Sequence, residues 1–342
     1  MLLNDFKSRL KSGELRGWYI FAGEEEYLKS YYRGELKAAV VSDEAFALFN
    51  HTVFDGAEMQ IAALSEAIKS PPMMADYKLI EWRFADLDKM KAGEISALEE
   101  LFSEKADYPY AIVAITALAD GFDLGTQKKP SKLYNKLSEG FEILNFEKTT
   151  DAQLLSWLKR HFDAEGIAVD ASVLNFLLFR VGHSMQMLKS EVTKLSAYAK
   201  ANGRREITVS DVEEITSSTI ECDAFAISNA IIEKNAEKAF LALADMKQQR
   251  LEPQVVLGQL AKTYSELMSI ALLIEEGKDA KDIEVIMKFH PYRLKLYIGA
   301  AKKLGARRIA DTLDSLIKTD ASSKMGGIAG YKAVEMFITQ NI

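Results

Sequence analysis

Gly17-Trp18-Tyr19-Ile20-Phe21-Ala22-Gly23-Glu24-Glu25-Glu26-Tyr27-Leu28 is the stretch on which the reading of this chain turns. The apolar run Trp18–Ala22, closed by Gly23, reads as a buried strand ending in a turn. Tyr27, Leu28, Tyr31 and Leu36 then recur at helical spacing, so residues 24–41 are expected to form a helix. A strand, a glycine and a helix in that order form the first half of a strand–helix–strand unit.

The same alternation continues outward from it. A second strand is expected near Ala47–Phe54, followed by a helix over Met59–Lys69 with Ile61, Leu64 and Ile68 on one face. Leu79–Trp82 and Ala111–Ile115 read as two more strands, separated by a helix over 94–103. Lys132–Ser138 and Phe141–Phe146 add a last helix and strand. Strands spaced by helices imply right-handed crossovers and a mostly parallel sheet.

After Thr149 the strand signals stop. Thr150 or Asp151 can cap a helix carrying Leu154, Leu155, Trp157 and Leu158. Further helices are expected over Asp170–Arg180, after Gly182-His183-Ser184, and from Asp211, which Ile207–Ser210 would cap. From about residue 223 five or six helices follow, punctuated by Glu252-Pro253, Gly277, His290-Pro291, Gly305 and Gly326-Gly327. The expected organisation is an α/β region over 1–147, a small helical region over 148–216 and an all-α region over 217–342.

The composition suits such a body. The 342 residues are 48% hydrophobic and 27% charged, a globular profile too long for a single ordinary core. No stretch reaches the roughly 18 uninterrupted apolar residues of a membrane span. The opening MLLNDFKSRLKSGEL carries charges where a signal peptide needs its apolar centre. Cys222 is the only cysteine, so no internal disulfide can form and a reducing cytoplasm is the expected compartment. A net charge of -7 argues against a protein held mainly by nucleic-acid phosphates.

Catalytic chemistry is missing from the places where it would be sought. A phosphate-binding loop after the first strand would need the pattern GxxxxGKS or GxxxxGKT, and the chain contains neither. Glu24, Glu25 and Glu26 suit a helix N-terminus but repel a triphosphate. His51, His161, His183 and His290 lie far apart in the sequence, without ligands at metal spacing. Cys222 has no visible basic activator and reads as an inert thiol. Gly326–Gly330 follows a helical pattern rather than a strand and reads as a turn. Glu24–Glu26 and Asp86–Asp88 read as helix-start and loop acids. No catalytic residue, metal or cofactor is assigned.

Several segments stand out in order: Gly17–Leu28; Ile68-Lys69-Ser70-Pro71-Pro72-Met73-Met74-Ala75-Asp76-Tyr77-Lys78-Leu79-Ile80; Gly166-Ile167; Gly182-His183-Ser184; Leu188–Leu195; Ile207-Thr208 with Asp211-Val212; Asp223-Ala224-Phe225; Glu252-Pro253; and Asp320 with Lys324. Together they resemble the delta subunit of bacterial DNA polymerase III, a clamp-loader family related to AAA+ ATPases. His183 departs from the family's usual Asn or Asp, and Met73-Met74 from its usual leucine–phenylalanine pair. The resemblance implies a degenerate AAA+ or RecA-like sheet without a nucleotide site, a small lid-like helical domain and a helical collar domain. It also implies a non-catalytic role in the polymerase holoenzyme: binding the sliding clamp and opening its ring for loading onto primed DNA. The partners it implies are the clamp (beta), the loader ATPases (tau/gamma), delta prime and primer-template DNA, and no membrane.

On that resemblance Met73 and Met74 are the expected clamp contact, with Pro71 and Pro72 shaping the approach and Ser70, Ala75 and Asp76 beside them. The residues by themselves favour a plug at the edge of the core, and it is the resemblance that turns the reading to a contact. Between Ile286 and Ala310 the cations Lys288, Arg293, Lys295, Lys302, Lys303, Arg307 and Arg308 occur without acids, with Tyr292 and Tyr297 among them. That stretch suits a DNA-facing surface, a collar interface or a solvated helix face. Two other functions remain open on sequence grounds: an inactive AAA+-like adaptor unrelated to clamps, and an α/β enzyme with an atypical nucleotide site near Gly23.

Overall fold

The computed structural model describes residues 2–15, 17–41, 46–126 and 128–342. The chain divides into two compact units, Met1–Thr149 and Thr150–Ile342.

The first unit is built on a five-stranded sheet. In chain order it contains α1 (Leu2–Ser12), β1 (Trp18–Ala22), α2 (Glu26–Val40), α3 (Ala47–Asn50), β2 (His51–Asp55), α4 (Ile61–Lys69), β3 (Lys78–Ala85), α5 (Ala92–Ser103) and β4 (Ala111–Ala117). A minimal hairpin of β5 (Gly125–Thr126) and β6 (Lys129–Pro130) follows, then α6 (Lys132–Leu137) and β7 (Glu142–Asn145). The sheet order is β2-β3-β4-β1-β7, and every pairing in it is parallel. β1 lies between β4 and β7, with Ile20 opposite Ile115 on one side and Ile143 on the other.

Helices cover both faces, which explains why the strands read as unbroken apolar runs. Trp18, Ile20, Ile80, Trp82, Val113, Ile115 and Ile143 pack against α4, α5 and α6 through Ile61, Leu64, Ile68, Leu98, Leu101 and Leu137. The alternate residues Tyr19, Phe21, Leu79, Ile112, Ala114 and Leu144 pack against Phe6 of α1 and Leu36 of α2. Successive strand residues point to opposite faces, so each strand feeds two cores at once.

Two details differ from the sequence reading. Ala47–Asn50 is a single helical turn rather than the start of a strand, and β2 begins only at His51. α1 carried no strong local signal, because its one wholly buried aromatic, Phe6, finds its partners in Tyr19 and Phe21 of β1.

The second unit is helical: α7 (Asp151–Ala164), α8 (Ala171–Val181), α9 (Met185–Ala201), α10 (Val209–Ile215), α11 (Ile220–Ile232), α12 (Ala236–Gln248), α13 (Pro253–Glu275), α14 (Ala280–Met287), α15 (Pro291–Lys324) and α16 (Tyr331–Asn341). A two-residue parallel bridge joins β8 (Ala168–Val169) to β9 (Glu206–Ile207). The caps fall within the stretches that the sequence marks, although α10 starts at Val209, two residues before the expected Asp211. Thr150 and Gln153 form a capping box on α7, Ser184 caps α9, and Thr208 with Asp211 boxes α10. Arg204 grips the Asp211 carboxylate with both terminal nitrogens, at 2.9 and 2.6 Å, and holds its pKa down at about 2. Pro253 and Pro291 sit in the first turns of α13 and α15, where their missing N–H costs nothing. Gly305 leaves the helical region at φ 73° and ψ 155° and kinks α15.

Candidate functional site

Between α4 and β3 the chain exposes what a core would normally take in. The Ser70 N–H closes α4 on Glu66 C=O, and Pro71 and Pro72 then forbid another helical turn. Met73 is 45% exposed and Met74 82%. Ser70, Pro71, Ala75 and Asp76 are exposed as well, with Pro72 half-buried. Met74 adopts a left-handed backbone, φ 53°, which costs a non-glycine residue roughly 1–2 kcal/mol.

Buried polar groups hold this apolar loop in shape. Asn50, the last residue of α3, is 3% exposed. Its amide nitrogen donates to the Met73 carbonyl and its amide oxygen accepts from the Met73 N–H, both at 2.8 Å. The two bonds fix the orientation of the Met73 backbone. At the far end Lys78, the first residue of β3, is buried and donates to the Ser70 carbonyl and hydroxyl, each at 3.1 Å. Burial pushes the Lys78 ammonium below its ordinary pKa. The Tyr110 hydroxyl donates to the Lys69 carbonyl at 3.0 Å. Beside Asn50, Leu48 and Phe49 are 85% and 52% exposed, so α3 presents apolar side chains as the loop does. Sequence reading missed these two by assigning Ala47–Phe54 to one strand. The available signal was Asn50, a poor strand residue between two apolar stretches.

The opposite end of the sheet shows the reverse arrangement. Ligands of open α/β sheets bind beyond the C-terminal ends of the strands, and Gly23 lies there, just after β1. A Cβ at Gly23 would come within 2.4 Å of the Phe146 carbonyl oxygen, so only glycine fits. The Glu25 N–H donates to that same carbonyl at 3.0 Å, and the Glu25 carboxylate accepts from the Thr149 N–H at 3.3 Å. These bonds tie the loop to the chain following β7.

Lys29, with no exposed surface, donates to the Ala117 carbonyl at the end of β4 at 2.8 Å and pairs with Glu26 at 2.7 Å. Counting from Gly23, Lys29 and Ser30 stand where a phosphate loop carries its lysine and hydroxyl residue, with Leu28 in place of the second glycine. A pattern requiring both glycines overlooks this partial match. The lysine that could neutralise a phosphate is committed to the protein's own carbonyl and carboxylate.

The other candidates are placed as follows. Glu81 on β3 is buried among His51, Arg33 and Arg83, at 2.6, 3.2 and 3.0 Å. Burial would raise its pKa, but the hydrogen bonds from His51 and Arg83 outweigh that and hold it below the ordinary value. Asp86 pairs with Lys89, and Asp88 accepts from the Asp123 N–H. Cys222 is buried, and burial pushes its thiol up to about 12. Asp320 and Lys324 form an i,i+4 ion pair at 2.6 Å. Gly326–Gly330 lies in the turn between α15 and α16.

The histidines, remote in sequence, are not all remote in space. His183 lies 2.8 Å and His290 3.9 Å from the two carboxylate oxygens of Asp151. Among the described residues no group of three or more His, Cys, Asp or Glu side chains is arranged to hold a metal ion. Nor is any helix among them long and apolar enough to cross a membrane.

The basic stretch separates into two kinds of residue. Arg293 turns inward, pairing with Glu221 at 2.8 Å and Glu266 at 2.7 Å and lying over the rings of Phe289 and Tyr297 at 3.8 and 4.9 Å. Tyr297 is wholly buried, and Tyr292 packs on Phe176 and Phe179. Arg293 and both tyrosines therefore leave the candidate surface and join the helical core. Lys288, Lys295, Lys302, Lys303, Arg307 and Arg308 are exposed.

Residues 19–120 match the family model described as "DNA polymerase III, delta subunit", and residues 221–341 match "DNA polymerase III delta subunit, C-terminal domain". The DNA polymerase III subunit delta of Bacillus subtilis (strain 168) is 24% identical over 99% of this chain and 96% of its own length. The probable DNA polymerase III subunit delta of Aquifex aeolicus (strain VF5) is 22% identical over 90% of this chain and 86% of its own. The solved structure of the Bacillus subtilis DNA clamp loader delta protein shares the fold, with a TM-score of 0.60 and 22% identity over 100% of this chain and 99% of that one.

Proposed function

The chain belongs to the DNA polymerase III delta-subunit family, and on that premise we propose that it is the clamp-loader subunit that binds the sliding clamp and favours its open ring. Met73 and Met74 form the contact, with Pro71, Pro72, Ser70, Ala75 and Asp76 shaping its border. The observation that carries this reading is two exposed methionines on a loop clamped by buried Asn50 and Lys78. A loop left over from packing would not require a buried lysine and a buried asparagine to hold it, since each is costly to bury unless bonded.

The physics suits a ring partner. Methionine is flexible and polarisable, so it fills an apolar pocket without demanding one shape. Burying each side chain contributes roughly 1.5–3 kcal/mol before entropic losses. Bonds need not be made or broken to open a ring. A subunit that fits the clamp better with one interface sprung shifts the equilibrium by its differential affinity for the two states.

In this reading ATP is consumed by the tau/gamma ATPases and not by this chain. Residues 1–147 bind the clamp, 148–216 form a lid-like domain, and 217–342 enter the collar with the ATPases and delta prime. The exposed Lys295, Lys302, Lys303, Arg307 and Arg308 face primer-template DNA or an acidic collar neighbour.

The test is a titration of purified sliding clamp with the chain and with Met73→Ala/Met74→Ala. Loss of at least about 50-fold in affinity, with an unchanged melting temperature, is the expected result. Equal affinity of the two proteins would refute the assignment.

A further inference from the structure

We propose that the clamp contact does not end at the methionine loop but continues onto α3, through Leu48 and Phe49, with Asn50 joining the two elements into one surface. This rests on the clamp-binding reading above and extends it to residues that the sequence resemblance does not touch.

The argument begins with size. A stable protein–protein contact usually takes about 800 Å² from each partner, and two methionine side chains supply only a fraction of that. More apolar surface must lie nearby and be held in fixed register with Met73 and Met74. α3 meets both conditions. Leu48 is 85% exposed and Phe49 52%, on a helical turn whose final residue makes two 2.8 Å bonds to the Met73 backbone. Phe49 precedes Asn50 and Met74 follows Met73, so each lies one peptide, about 3.8 Å between Cα atoms, from the hydrogen-bonded junction.

Asn50 is well chosen for that junction. Its amide offers one donor and one acceptor side by side, matching a backbone C=O and N–H of a single residue. Alanine provides neither. Aspartate can accept the Met73 N–H but turns a second acceptor toward the Met73 carbonyl. Both substitutions release the loop from α3 without touching an exposed side chain. Asn50 is therefore a positioning residue for the contact. Leu48 and Phe49 are contact residues.

The partner is the ring that takes Met73 and Met74, because one rigid junction carries all four side chains. A second copy of this chain is the competing occupant.

The experiment titrates sliding clamp into the full chain and four variants: Leu48→Ser/Phe49→Ser, Asn50→Ala, Met73→Ala/Met74→Ala, and Asn50→Ala on the last. Leu48→Ser/Phe49→Ser is expected to weaken binding about tenfold with little change in melting temperature, since Leu48 lies almost wholly and Phe49 about half in solvent. Asn50→Ala is expected to weaken it about tenfold in the native background and less than about twofold where the methionines are already gone, because a positioning residue acts only through what it positions. Loss of melting temperature in Asn50→Ala without that dependence on background would make Asn50 merely structural and overturn its role.

Unchanged affinity of Leu48→Ser/Phe49→Ser, while the methionine variant fails, would remove α3 from the contact and leave the methionine site standing. Unchanged affinity of the methionine variant itself would remove the reading underneath. Self-association of the chain in sedimentation, abolished by Leu48→Ser/Phe49→Ser, would give the patch to a second copy and overturn the proposal.

Discussion

The two ends of the β-sheet treat their side chains in opposite ways. At the C-terminal end, beyond β1 and β4, a lysine is wholly buried and its charge is spent on a carbonyl and a glutamate. At the N-terminal end, before β2 and β3, Met74 is 82% exposed while Asn50 and Lys78 are buried beneath its loop. The usual preference puts apolar groups inside and charges outside, and each end breaks it in its own way. Burying Lys29 commits its ammonium to the Ala117 carbonyl and Glu26, beyond the C-terminal ends of the strands. Exposing Met74 gives the surface on which the proposed clamp contact rests. One end of the sheet spends a charge inside the protein, and the other leaves apolar side chains in solvent.

The largest effect expected from that contrast is at Met74. A carboxylate there, Met74→Glu, would have to be stripped of water in an apolar pocket, so clamp binding should fall by about 3 kcal/mol or more. In a pulldown at micromolar protein the complex should disappear. If the complex survives, Met74 lies outside the contact.

Lys29→Ala tests the end with the buried charge. It leaves the Ala117 carbonyl without its ammonium donor and opens a cavity, and should destabilise the fold by roughly 2–4 kcal/mol in a denaturant melt. Clamp affinity measured below the transition should stay within about twofold of the native value. A large affinity change would mean that the two ends are energetically coupled, and the contrast would have to be redrawn.

Met74→Gly sharpens the exposed end, because it separates function from stability. Glycine adopts φ near 53° without the steric penalty, so the melting temperature should hold or rise by the equivalent of up to about 1 kcal/mol while clamp affinity falls. A core residue would show the opposite signs, with lower stability and unaltered binding.

Leu28→Gly rewrites Gly23–Ser30 into the full phosphate-loop pattern. No ATP binding should appear in calorimetry, because Lys29 remains committed to Ala117 and Glu26. Heat of ATP binding would show that the second glycine alone had been lacking.

The smallest effect concerns acid. Glu81 on β3 pairs with His51, the first residue of β2, and hydrogen bonds from His51 and Arg83 hold its pKa in the fold below its ordinary value. A depressed carboxylate contributes stability that is fully present above the ordinary carboxylate range and withdrawn as pH falls through its lower folded value. Melts taken from neutral pH down through that range should therefore lose stability at the acid end, and the loss should be shallower in Glu81→Gln. Parallel curves for the two proteins would remove Glu81 as a source of the acid sensitivity.

Much of the fold was legible because its strands are covered on both faces. Trp18–Ala22 and Ala111–Ile115 read as strands from composition alone, and the caps at Thr150, Ser184 and Thr208 marked helix starts by local chemistry. Reading failed where local signal and tertiary role part company. Ala47–Asn50 is apolar enough for a strand, yet Asn50 bonds to Met73 and the turn before it faces solvent. Arg293 sits in a run of cations that suggested a surface, and two glutamates from α11 and α13 draw it inward. Lys29 escaped notice because the glycine that would have announced it is a leucine.

From the chain alone came the alternation of strands and helices up to Thr149 and the helices after it, the lack of a complete phosphate loop, and the methionine pair between two prolines and a strand. Those are properties of neighbours in sequence, carried by periodicity and backbone chemistry. Which side chains meet solvent was decided only by the folded structure, because burial depends on groups that arrive from elsewhere: Asn50 beneath Met73, Ala117 beside Lys29, Glu221 against Arg293. A parallel sheet makes this unavoidable, since each strand's neighbours are separated from it by a helical crossover.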